Sequence, residues 1–160
     1  MMTMQQWFDA YGESHQNPTN KAVHWICVPL IFYSLIGLLS LIPLGVVTAD
    51  LSDGIQPYIH VGTLIIAVGL LFFLRLSISI ALGMLIVSSV VLYGVKLVNL
   101  NFPEYAGWIY LAIFILAWIG QFIGHKIEGQ KPSFLKDIQF LLIGPAWLLH
   151  FIYRKIGIPY

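Results

Sequence analysis

Residues 58–98 read YIHVGTLIIAVGLLFFLRLSISIALGMLIVSSVVLYGVKLV, with Arg75 and Lys96 as the only charges. As one helix this stretch would be roughly 60 Å long at 1.5 Å per residue, about twice the hydrocarbon thickness of a bilayer. A tight reversal is therefore expected, with Arg75 at the interface and spans at 58–74 and 76–98. Two further charge-free windows, 25–44 and 107–125, approach the same length. The rest of the chain agrees: of 160 residues, 59% are hydrophobic and only 9% are charged. A soluble domain carries about 25% charged residues, so most of this surface must face something other than water. Disorder, a coiled coil, a fibrous repeat and a soluble nucleic-acid binder are excluded, and a net charge of +1 provides no basic field for phosphates. Cys27 is the single cysteine, so no intramolecular disulfide is possible. The expected fold is all-α: one membrane domain over 1–160, a polytopic helix bundle with four transmembrane helices.

The last apolar segment, 138–153, is at the short end for a crossing, and Gly144-Pro145 is expected to interrupt it. It reads as a re-entrant or interfacial helix. The basic residues favour this topology. With residues 1–24 cytoplasmic, Lys21, Arg75, Lys126, Lys131 and Lys136 lie inside, joined by Arg154 and Lys155 if the last segment does not cross. Only Lys96 lies outside, with Asp50 and Asp53 in an outer loop. The polar N-terminal segment carries Asp9, Glu13 and Lys21 and lacks a signal-peptide pattern, so the first apolar run is expected to remain as a span. The expected location is an inner membrane in a bacterium or the endoplasmic reticulum in a eukaryote.

This topology sorts the histidines. His15 and His24 precede the first span and His125 ends the fourth, so all three reach the cytoplasmic face, and His60 lies on the other. His150, in the final segment, remains a candidate. Nine residues of continuous helix would put His15 and His24 on opposite faces. Asn17-Pro18 is expected to break the chain between them, with Asn20 as N-cap of the first span. Gln121, His125 and Glu128 share a helix face at i, i+4 and i+7, beside a Gly120/Gly124 pair that would admit a second helix closely. Neutral imidazoles with an open coordination position suit zinc hydrolysis or non-haem iron oxygen chemistry. Glu13 and Glu128 are the possible carboxylate partners. There is no HExxH, GxSxG, P-loop or Rossmann pattern, and none of the long histidine boxes of membrane di-iron oxygenases.

The pattern Tyr11…His15…Asn20…His24…Pro29-Leu30, followed by Gln121-Phe-Ile-Gly-His125…Glu128…Pro132, resembles a small membrane family that includes the fungal 2-hydroxy-palmitate dioxygenase of fatty acid α-oxidation. The resemblance implies an Fe(2+)-dependent enzyme that uses O2 to shorten a 2-hydroxy long-chain fatty acid by one carbon, releasing CO2. On that resemblance His15, His24 and His125 are the catalytic metal ligands, with His150 or Glu128 as further candidates. The metal would chelate the 2-hydroxy-carboxylate while the tail lies among the spans of the lipid bilayer. Asn20 caps a helix or orients a ligand from behind it, and Tyr11 donates a hydrogen bond or anchors at the interface. Gln121 stands beside His125, and Lys21, Lys126 and Lys131 read as positive-inside anchors or as cations that steer the carboxylate. Two other classes compete: a zinc-dependent membrane lipid hydrolase, and a non-enzymatic membrane protein with structural histidines.

Overall fold

The structure, a computed structural model, describes residues 2–45, 52, 54–131 and 139–160. Among these the chain forms six α-helices: α1 (Met4–Gly12), α2 (Pro18–Ser40), α3 (Val61–Leu76), α4 (Ile78–Asn101), α5 (Ala106–Glu128) and α6 (Gln139–Ile156). A 3-10 turn at Gln56–Tyr58 and an isolated bridge between Pro43 and His60 complete the described secondary structure, which contains no strand. The class is all-α, as expected. Asp50, Asp53, Pro132, Lys136 and Ile138 lie outside the described residues.

Three helices, α2, α4 and α5, are long and apolar enough to cross a membrane. The α3 helix has 16 residues, which makes it about 24 Å long and shorter than the hydrocarbon layer. The reversal expected near Arg75 occurs at Ser77, whose extended backbone ends α3 while its Oγ accepts from the Ile80 N–H that opens α4. The bundle's outward faces are apolar. Leu64, Val68 and Leu71 on α3, Ile86 and Val90 on α4, and Leu116, Ile119 and Ile123 on α5 are all exposed. A continuous belt of this kind is a surface for lipid, not water.

The site is positioned by the pairing of α2 with α5. Glycines let the two run antiparallel in close contact. A Cβ on Gly37 would strike the Tyr110 ring, one on Gly120 would lie 2.6 Å from Cys27 Sγ, and one on Gly124 would strike Asn20 Oδ1. The Gly120/Gly124 seam expected from the sequence therefore receives α2 itself.

Two local expectations are corrected. Asn17, not Asn20, is the N-cap of α2. Its Oδ1 accepts from Thr19 N–H at 2.8 Å and Asn20 N–H at 3.4 Å, while Pro18 occupies the first helical position, where its missing N–H costs nothing. Gly144-Pro145 does not interrupt the last segment, because α6 runs through it. Residues from Phe140 to His150 on α6 are largely buried against α1, α2 and α4. That packing holds the helix together where Pro145 removes one backbone bond. The N-terminal segment is also more structured than its polarity suggested. A Thr3/Gln6 capping box opens α1, whose Met4, Trp7, Phe8 and Tyr11 face α6.

Candidate metal centre

His15 lies in the turn between α1 and α2, His24 one turn beyond the buried Asn20, and His125 in the last turn of α5. The break at Asn17-Pro18 folds His15 back over His24. All three are buried, and one ligand nitrogen from each lies within 4.8 Å of the others. The ring centroids are 4.2, 4.9 and 5.0 Å apart and the rings stand at 71–88° to one another. Three steeply inclined imidazoles are thus gathered with one nitrogen of each in close proximity.

The hydrogen bonds fix the tautomers, which are inferred from their partners. His15 Nδ1 donates to the Tyr11 carbonyl at 2.6 Å, and His24 Nδ1 donates to the Asn20 carbonyl at 2.9 Å. Each Nε2 is then a bare lone pair, yet the two are only 2.8 Å apart. Two acceptors at that distance repel unless a cation lies between or beside them. A proton is a poor candidate, because burial, and next the neighbouring His24, push the His15 pKa down to about 3. His125 Nδ1 adds a third buried nitrogen with no hydrogen-bond partner. Metal-binding histidines commonly donate their second nitrogen to a backbone carbonyl, as His15 and His24 do. On these observations the three residues fit a divalent transition metal held by neutral imidazoles with positions left open.

The surroundings hold the triad in register. Glu128 accepts from Gln16 N–H at 2.8 Å, Asn17 N–H at 2.9 Å and Asn20 Nδ2 at 3.0 Å. One carboxylate therefore ties the end of α5 to the turn that carries His15 and to the first turn of α2. Asn20 Nδ2 also donates to the Ser14 carbonyl at 3.3 Å. The Tyr11 ring lies flat on His15, 4.3 Å away and within 5° of parallel. Burial raises its phenol pKa. Gln121 is buried beside His24.

The structure does not bring His150 or Glu128 into the triad. His150 Nδ1 bonds to the Trp147 carbonyl, and its ring stacks on Phe8 at 4.9 Å. Lys126 is exposed on α5. Lys21 lines a polar cleft with His15, His150 and Arg154, and His60 caps α3 through Thr63 N–H at 3.2 Å, away from the triad. Trp147 lies 5.2 Å from His15 and 5.1 Å from Tyr11, and so walls the site. Sequence reasoning missed it, because the expected interruption at Gly144-Pro145 hid that Trp147 falls one turn from Gly144 on a continuous α6. An apolar cavity opens from His15, Gln121 and His125 between α2, α5 and α6, past Val28, Ile31 and Phe32 to Leu35.

A helical bundle with a lipid-facing belt, three buried histidines that could hold a metal, and an apolar cavity leading from them together define a helical membrane protein with a candidate metal site. The chain belongs to the 2-hydroxy-palmitic acid dioxygenase Mpo1-like family, which it matches over residues 1–156. Among curated proteins and solved structures, no match was found.

Proposed function

We propose that the chain is an Fe(II)-dependent dioxygenase that converts a 2-hydroxy fatty acid and O2 into the acid one carbon shorter, CO2 and water. Those products account for every atom and electron of the two substrates, so no further reductant is required. The observation that carries the reading is the opposition of His15 Nε2 and His24 Nε2 at 2.8 Å beside the unpartnered His125 Nδ1, at the head of an apolar cavity. His15, His24 and His125 would hold Fe(II), which when bound supplies the redox chemistry that makes O2 reactive towards the substrate.

The protein's own part is to bind, orient and exclude. Val28, Ile31, Phe32 and Leu35 line a path for the tail, and His24 to Leu35 spans about 17 Å along α2. With the tail there, the 2-hydroxy-carboxylate lies at the histidine end, where Gln121 offers an amide to the hydroxyl or carboxylate. Tyr11 and Trp147 close the site against water from the α1 side and hold the His15 ring in plane. Glu128 and Asn20 keep the three ligands in register.

Zinc is the rival metal, since three imidazoles without a carboxylate are also a zinc donor set. Protein loaded anaerobically with either metal separates the two. The iron form should convert 2-hydroxypalmitate only when O2 is admitted. Turnover by the zinc form without O2 would replace this reading with hydrolysis.

We further propose that α3 crosses with α2, α4 and α5, giving four spans with the triad on the cytoplasmic side. The arrangement of basic residues supports it: Arg75 at the α3–α4 reversal shares a side with Lys21 and Lys126. A cysteine introduced after Lys155 should then label from the cytoplasm, and labelling from the opposite side alone would contradict the four-span topology.

A further inference from the structure

A second, smaller apolar cavity lies beside the first, lined by Ile66, Gly69 and Phe73 of α3, Met84 and Ser88 of α4, and Leu142 of α6. Phe32 lines both cavities. Its ring packs both against the core formed by α1 and α6 and against the separate cluster around Tyr110, and it is only partly buried. One aromatic side chain on α2 therefore stands between the space reached from the histidines and a further apolar space between α3 and α4. Both cavities have predominantly hydrocarbon linings, and the second offers Ser88 as its one polar side chain. The chemistry that matches such a lining is more acyl chain.

We propose that Phe32 is the partition that sets the acyl length the protein accepts, with the second cavity as the space that longer chains enter when the partition is removed. This rests on the first cavity being the tail site of the proposed function. Phe32 would act on the far end of the substrate and not on the reacting atoms, so its replacement changes which chain binds and leaves the histidine centre intact.

The test is direct binding, read without turnover. Full-length, iron-loaded protein is held anaerobically and titrated with 2-hydroxypalmitate and with 2-hydroxy acids four and eight carbons longer. Wild type should favour 2-hydroxypalmitate. Phe32→Ala should shift the preference towards the longer acids by roughly tenfold or more, because each added methylene then leaves water for an apolar wall. Phe32→Leu should shift it the same way by less, which guards against a misfolded alanine variant. Adding Ser88→Phe to Phe32→Ala refills the second cavity from α4 and should restore the original preference. An unchanged length preference in both Phe32 variants would overturn the partition. A double variant that behaves like Phe32→Ala would show that the second cavity receives no chain. If wild type binds no 2-hydroxy acid of any length, the tail site itself falls, and the partition falls with it.

Discussion

Replacing His24 with alanine should strip the protein of its metal and its activity together. His24 offers one of the two facing lone pairs, and its loss leaves His15 Nε2 with neither a cation nor a partner. Outer partners of a metal site typically cost 10–100-fold in affinity when removed. Loss of a ligand should exceed roughly 100-fold, so anaerobically purified His24→Ala should hold no stoichiometric iron. His125→Ala should behave alike, because His125 Nδ1 is the buried nitrogen that no hydrogen bond satisfies. His150→Ala is the informative contrast. His150 is occupied by the Trp147 carbonyl and the Phe8 ring, so that variant should keep its iron. Elemental analysis of the three variants, alongside a check that each elutes and melts as a folded species, decides the matter. Iron retained by His24→Ala and lost by His150→Ala would mean that the ligand set is wrong.

The second large effect is expected at Gly124, which has no side chain to ligate a metal but sits next to His125 on α5. A side chain there would enter Asn20 Oδ1 and approach Val23 Cγ1 to 3.3 Å. Overfilling a packed interface costs about 1–3 kcal/mol, and here the strain falls on the site's framework. Asn20 holds His24 through its carbonyl and Glu128 through its amide. Gly124→Val should therefore lower thermal stability and iron affinity in the same variant. Gly45→Ala is the control, since nothing lies within 4 Å of a Cβ at that position; it should leave both unchanged. A Gly124→Val protein of wild-type stability and iron content would refute the close α2–α5 seam.

Much of this was legible in the sequence because the informative residues are scarce. Few charges interrupt the apolar windows, so Arg75 locates the end of α3, whereas α4 runs on past Lys96 to Asn101. The same sorting puts His15, His24 and His125 on one face and sends His60 to the other. The structure's juxtaposition of the three follows from the break at Asn17-Pro18, which is a local feature. What stayed hidden is non-local or competitive. Glu128 reads as a possible ligand because it shares a face with His125, yet its oxygens are taken up by backbone N–H groups more than a hundred residues away in sequence. Asn17 and Asn20 are both good caps by type, and the proline at position 18 decides between them by preferring the first helical position. Gly144-Pro145 looks like a break until the packing around α6 outweighs one lost backbone bond. The length of α3 is a similar case. The charge-free window runs from 58, but residues 56–58 form a 3-10 turn and His60 caps the helix, so the regular helix begins only at Val61.

The central claim is that three neutral histidines hold an iron used for oxidative removal of one carbon from a 2-hydroxy acid. Its most direct test is the reaction's stoichiometry in purified, Fe(II)-loaded protein given 2-hydroxypalmitate labelled at the carboxyl carbon, with no reductant added. The account predicts one O2 consumed for each labelled CO2 released and each shortened acid formed. Labelled CO2 released without O2 uptake, or O2 uptake that leaves the 2-hydroxy acid intact, would contradict it.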